Sequence, residues 1–249
     1  MNTLTTSGSP RNAGPAAPSR VQDSILSGLE KRVLLWLAAR MPPPVNSDHL
    51  TLLALISMLG AGLSYWLASL TPAGLLLVIV FLALNWFGDS LDGTLARVRG
   101  QQRPRYGYYV DHVVDAFGAL FLFGGLALSG YMSPGVAAVL LIAYFLVCLE
   151  VYLAASSVGR FQMSFFSMGP TELRLALAAG NVVLFMNPTA SAFGGSVMLF
   201  DAGGAIGAAG LLATCLYSAV RNTRELYRAE PLPPRTSGHQ AGERTVSVI

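Results

Sequence analysis

Six apolar runs occupy the middle of the chain, at residues 48–69, 73–97, 107–130, 134–158, 170–187 and 199–222. At about 1.5 Å per helical residue, each can cross a hydrocarbon core of about 30 Å. Upstream, Ile25, Leu29, Val33 and Trp36 recur at helical spacing among Glu30, Lys31, Arg32 and Arg40. That pattern predicts an amphipathic helix lying on the membrane surface. Pro42, Pro43 and Pro44 end it. The expected fold is an all-α membrane protein, with six transmembrane helices preceded by a cytoplasmic amphipathic surface helix. Its membrane domain spans residues 23–228. The flanking stretches 1–22 and 229–249 lack apolar runs and are expected to be disordered tails. The first of them does not have the apolar core of a signal peptide.

Composition supports the membrane reading. Hydrophobic residues make up 53% of the 249 and charged residues only 12%, against roughly 25% charged in soluble domains. A net charge of +3 gives no reason to expect nucleic acid as a partner. The positive charges instead mark topology. Arg97, Arg99, Arg103 and Arg105 lie at the second connection, Arg160 at the fourth, and Arg221, Arg224 and Arg228 after the last run. The first, third and fifth connections hold no Lys or Arg. Both termini are therefore expected on the cytoplasmic side. Cys148 and Cys215 sit in apolar runs and read as small buried hydrophobes rather than a disulfide or metal pair. The many glycines read as close helix packing.

The chemistry concentrates where the second run ends and the third begins. Asp89 and Asp92 are three residues apart, and Asp111 and Asp115 are four apart, so each pair shares a helical face. The connection between the runs is short. The helices are thus antiparallel neighbours, and both pairs lie at one depth near the cytoplasmic face. One Asp deep in a membrane helix costs roughly 2.5–3.5 kcal/mol on insertion scales. Four also repel one another, and Arg97 alone cannot balance them. Divalent cations can, and carboxylates select hard ions such as Mg²⁺, Mn²⁺ or Ca²⁺. Four acids suffice for two ions, a set suited to displacement at phosphorus. Gly93 and Ala96 keep bulk away from the acids, and Arg97 suits a phosphate. Ion pairing or a proton path is the bland alternative. Four acids at helical spacing on adjacent helices weigh against it.

These residues resemble the CDP-alcohol phosphotransferase family, whose signature is D-x2-D-G-x2-A-R, eight or nine residues, then G-x3-D-x3-D. The chain follows it from Asp89 to Asp115, with nine residues between Arg97 and Gly107. Asn46-Ser47-Asp48-His49-Leu50-Thr51 is similar to a P-N-x-L-T stretch that opens the first helix in the family. The resemblance implies transfer of a phosphoryl-alcohol group from a CDP-alcohol to a hydroxyl acceptor, with release of CMP, in phospholipid biosynthesis. It implies Asp89, Asp92 and Asp111 as metal ligands. Asp115 becomes a further ligand and the general base. Asp92, Gly93, Ala96, Arg97 and Gly107 lie against the CDP moiety. The implied cofactor is Mg²⁺ or Mn²⁺, as two ions, and the implied state a homodimer.

Three features favour a CDP-aminoalcohol donor and a diacylglycerol acceptor. Asp111-His112 is similar to the D-H-x-x-D form of the choline/ethanolamine branch, which adds His112 as a catalytic candidate. Gly169-Pro170-Thr171-Glu172 resembles its G-P-T-E stretch, and Glu150-x-Tyr152 its E-x-Y pair. Leu173-Arg174 departs from that pattern. Glu150, Arg160, Glu172 and Arg174 form the expected acceptor or headgroup site. The alternative is a CDP-diacylglycerol donor with a soluble alcohol such as glycerol phosphate, inositol or serine. A cation transporter is the rival class, although it needs acids spread across the bilayer. Asp201 and His49 read as helix-end residues without partners. Tyr108, Tyr109, Trp66 and Trp86 read as interface or packing aromatics.

Overall fold

A computed structural model describes residues 19–21, 27–158, 160–162, 170–187, 191–195 and 197–232. Its helices are α1 (Ser27–Arg40), α2 (Ser47–Ala68), α3 (Ala73–Val98), α4 (Pro104–Leu128), α5 (Pro134–Ser157), α6 (Pro170–Met186) and α7 (Leu199–Ala229). Two minor strand pairings accompany them. Ser19–Val21 runs parallel to Arg160–Gln162, and Ser191–Ala192 runs antiparallel to Val197–Met198. Five helices, α2 to α5 and α7, are long and apolar enough to cross a membrane. The run expected at 170–187 forms α6, which at 17 residues is shorter than α2 to α5 and α7.

Side-chain placement explains why this bundle suits lipid. On α2, Leu52, Ile56, Leu59, Leu63 and Trp66 face outward. The same helix buries Ala54, Ser57, Ala61, Gly62 and Ser64. On α5, Val139, Ile142, Leu146, Leu149 and Leu153 face outward in the same way. Small and weakly polar residues pack the helices, and large apolar ones are left for acyl chains to cover. A chain with these features is a multi-pass membrane protein.

Glycine sets the closest approaches. A methyl group at Gly125 on α4 would lie 2.1 Å from the Gly62 carbonyl oxygen on α2. One at Gly62 would lie 2.2 Å from the Phe121 carbonyl oxygen. At Gly88 on α3 it would lie 2.6 Å from the Leu50 carbonyl oxygen. Backbone meets backbone at all three, so α3 and α4 are both drawn tightly onto α2.

The segment expected as a surface helix forms α1, and one of its faces docks on protein. Leu34 and Ala38 join Leu50, Leu91 and Leu95 in a small core. Leu29, Val33 and Trp36, which carried the sequence pattern, lie on the exposed side. After α1, Arg99 reaches back from the end of α3 to the proline turn. It donates to the carbonyls of Met41 and Pro42 at 2.9 Å each, and to that of Val45. Asp48 and Arg103 form an ion pair between the start of α2 and the start of α4. The hydrogen bond that Arg103 donates to Asp48 raises the pKa of Arg103.

His49 and Asp201 both have partners, contrary to expectation. Asn46 and His49 form a reciprocal capping box at the start of α2. Asp201 accepts from the backbone N–H of Ser133 at 2.6 Å and from its hydroxyl at 2.5 Å. Asp201 thus stands at the head of α5 from the first turn of α7. At the other end of the same two helices, Asn222 donates to Glu150 at 2.7 Å. With like ends paired, α5 and α7 run parallel.

Candidate active site

Helices α3 and α4 place the acids. Asp89, Asp111 and Asp115 can each offer a carboxylate oxygen such that all three lie within 4.8 Å of one another. All three are half-buried. The i, i+4 spacing on α4 aims Asp111 and Asp115 at one spot. The Gly88 contact holds α3 close enough to α2 to fix the depth of Asp89 beside it.

Asp92 is braced separately. The hydroxyl of Thr51 donates to its Oδ2 at 2.6 Å. Thr51 closes the stretch that opens α2, so this helix start serves the site directly. Gly93 and Gly107 are open. A methyl group at Gly107 would meet nothing within 4 Å, and one at Gly93 would meet only the Arg97 guanidinium at 3.9 Å. Arg97 donates to the Thr94 hydroxyl at 3.0 Å and lies along the same face as Gly93. Ala96 is half-buried on the next turn.

Arg174 brings positive charge to the cluster. Its Nη2 donates to Asp89 Oδ2 at 2.5 Å, and its Nε donates to Asn85 Oδ1 at 2.8 Å. Asn85 is buried and donates in turn to the Ala54 carbonyl at 3.1 Å. The guanidinium spans one turn of α3 and partly offsets the repulsion among the carboxylates. The charge balance that Arg97 could not supply alone therefore comes partly from α6.

His112 lies between two rings. Tyr108 is 4.1 Å from it, centroid to centroid, and Tyr152 of α5 is 4.6 Å away. Its Nδ1 is 3.8 Å from Asp111 Oδ2. Tyr108 thus packs at the edge of the acid cluster, as one of the expected packing aromatics.

The other expected site residues separate. Glu150 accepts from Asn222 and joins α5 to α7. Glu172 is half-buried in the first turn of α6. The side chain of Arg160, and Gly169, lie outside the described residues. Sequence reading missed Asn85, the brace from Thr51 and a tie made by Glu30. One oxygen of Glu30, Oε1, accepts from Trp86 Nε1 at 2.8 Å, from the Ser90 hydroxyl at 3.2 Å and from the Thr171 hydroxyl at 2.8 Å. The i, i+4 spacing of Trp86 and Ser90, beside Asp89, was the available signal.

A membrane bundle that gathers carboxylates at one end, with a guanidinium beside them, is a frame for chemistry on phosphate. The sequence model of the CDP-alcohol phosphatidyltransferase family matches residues 46–215, well over half of the chain. The chain belongs to this family of transferases for substituted phosphate groups, which act in phospholipid biosynthesis. It therefore transfers a phosphoryl-alcohol group from a CDP-alcohol. Family members use divalent metal ions. No curated protein matches the chain.

Proposed function

We propose that the protein transfers the phosphoaminoalcohol group of a CDP-aminoalcohol to diacylglycerol and releases CMP. The metal chemistry rests on Asp89, Asp111 and Asp115, whose oxygens converge within 4.8 Å. Their hard, anionic donor set fits Mg²⁺ or Mn²⁺, and the wider group with Asp92 fits two ions. When bound, the ions polarise the diphosphate and make CMP a better leaving group.

The chain's own residues do the rest. Asp92, held by Thr51, lines the CDP side together with Gly93, Ala96, Arg97 and Gly107. The open faces of Gly93 and Gly107 let the nucleotide approach the backbone. Asp115 takes the proton of the acceptor hydroxyl as that oxygen attacks the phosphorus. His112, 3.8 Å from Asp111, is placed to steady that carboxylate. Arg174 balances Asp89, and the Glu172 turn of α6 leads from it toward the acceptor.

The observation that favours an aminoalcohol is the stack of Tyr108, His112 and Tyr152 beside Asp111. Aromatic faces attract ammonium groups. Two features quoted for the aminoalcohol branch, His112 and Tyr152, touch each other in the fold. The second reading, a CDP-diacylglycerol donor with a soluble phosphate-bearing acceptor, draws on Arg174 and its position at the cluster.

A panel decides between them. Purified protein in lipid nanodiscs is given each CDP-alcohol with diacylglycerol, or CDP-diacylglycerol with each soluble alcohol, and CMP is measured. Release with CDP-choline or CDP-ethanolamine and diacylglycerol is expected. Release only with CDP-diacylglycerol would move the assignment to the second reading.

The reading also includes six crossings, with both termini cytoplasmic and the acids near the cytoplasmic face. The parallel run of α5 and α7 supports it, because α6 must then return the chain between them. The exposed face of α1, with Leu29, Val33 and Trp36, suits the membrane surface. The reading also includes a homodimer, which rests on the family resemblance alone.

A further inference from the structure

Glu30 lies in α1, outside the family match at residues 46–215. Its Oε1 nonetheless gathers three donors from two other helices. Trp86 and Ser90 come from α3, where they flank the turn that carries Asp89. Thr171 comes from the first turn of α6. Three residues further along α6, Arg174 grips Asn85 and Asp89. Residues three apart on a helix share a face. Thr171 and Arg174 are therefore two grips of one helical turn on one stretch of α3. The first is held through Glu30 and the second through Asp89.

Farther along, helix α6 is fixed by apolar packing, with Leu177 against the main core and Gly180 against the Phe200 ring. Its buried residues are Asn181 and Leu184 alone, both in its second half. The amide of Asn181 donates to the Tyr65 hydroxyl at 3.0 Å and anchors that half. Near the acids, the placement of α6 rests on polar contacts. An ionised acceptor makes such contacts roughly twice as strong as neutral ones. Burying a carboxylate oxygen under an indole and two hydroxyls is costly unless every donor stays in place. The arrangement is therefore specific, and it ties α1 to α6 across α3.

We propose that Glu30 is a positioning residue. Through Thr171 it fixes the first turn of α6, and so sets how Arg174 bears on Asp89. The consequence is electrostatic. A guanidinium on Asp89 competes with a metal ion for that carboxylate, and it also keeps the three acids from spreading apart. Loosening the tie should let cations bind more tightly while the reaction slows, because the reacting groups lose their mutual placement. The metal part of this rests on the metal reading of the aspartates.

The experiment pairs CMP-release kinetics with Mn²⁺ binding isotherms read by electron paramagnetic resonance. Thr171→Val is expected to lower kcat about tenfold with little change in KM, and Thr171→Ser to restore it. Mn²⁺ should bind more tightly to Thr171→Val and to Arg174→Ala than to the wild type. In an Arg174→Ala background, Thr171→Val should have no further effect. A wild-type kcat for Thr171→Val would overturn the proposal. So would the same loss with Arg174 absent, which would mean that Thr171 acts without Arg174. Should Thr171→Val not fold, Glu30→Gln keeps an acceptor oxygen with a weaker pull, and the same dependence on Arg174 is required of it. Wild-type protein that binds no Mn²⁺ but follows the kinetic pattern would sink the metal reading and leave the positioning role standing.

Discussion

Two substitutions at this site are expected to fail differently. Asp115→Asn keeps the shape of the side chain and removes its basicity. It should lower kcat by about 10²- to 10⁴-fold, the range for losing a general base. Thr51→Val removes the 2.6 Å brace on Asp92 and leaves every carboxylate in place. A hydrogen bond to a charged group contributes about 1.5–3 kcal/mol. Thr51→Val should therefore raise KM for the CDP donor by roughly tenfold, with a smaller effect on kcat. Steady-state CMP release separates the two, and a large kcat loss with unchanged KM for Thr51→Val would put Asp92 in another role. The contrast also shows what one-dimensional reading can reach. The four aspartates are legible because helical spacing alone puts each pair on a face. Thr51 stands 41 residues before Asp92 in the chain. Glu30 stands 141 before Thr171. No local period links such partners, and only packed helices bring them together.

At the scale of the helix, packing and propensity pull glycine in opposite directions. Replacing Gly with Ala inside a helix gains up to about 1 kcal/mol of propensity. At Gly62 and Gly125 that gain is overrun, because the new methyl would sit 2.2 Å and 2.1 Å from opposing carbonyl oxygens. Backbone on both sides cannot step aside cheaply, and overpacking costs about 1–3 kcal/mol. Each substitution should lower the melting temperature in detergent. Gly124, with nothing within 4 Å of its added methyl, should leave it unchanged or raise it as Ala. Equal melting of all three variants would mean that α2 and α4 do not meet backbone to backbone. Glycine abundance signalled close packing in the sequence without saying which glycines serve it. The apolar runs likewise located α2 to α5 within three residues, and the start of α7, which continues to Ala229 beyond the run that ends at 222. Apolar periodicity was less informative for α1, whose named apolar stripe faces outward while Leu34 and Ala38 make the protein contact. Both stripes fit a helical period, and only the partner surface distinguishes them.

Across the whole molecule, the unsettled element is α6, and the direction of its neighbours bears on it. Glu150 meets Asn222, and Ser133 meets Asp201, so α5 and α7 are parallel and joined like end to like end. Two parallel helices in sequence need a connection that traverses their full length. Helix α6 begins at the acid end, where Arg174 holds Asp89, and reaches the far end, where Asn181 meets Tyr65 near the close of α2. At 17 residues it spans about 26 Å, a little less than a hydrocarbon core of about 30 Å. Tilt cannot lengthen it, so a crossing by α6 would require the bilayer to thin locally, or the polar residues at its ends to reach the interface. A sixth crossing makes a definite prediction. Single cysteines introduced at Gln101 and at Arg224, in a chain without Cys148 and Cys215, should both react with a membrane-impermeant maleimide only after the cytoplasmic face is opened. A cysteine at Thr71 or Ser191 should react in intact cells. If α6 instead entered and left by one face, Arg224 and Gln101 would label from opposite sides. The acids would then still share a face with Gln101, because α3 and α4 alone determine that, but the parallel pairing of α5 with α7 would have to be abandoned.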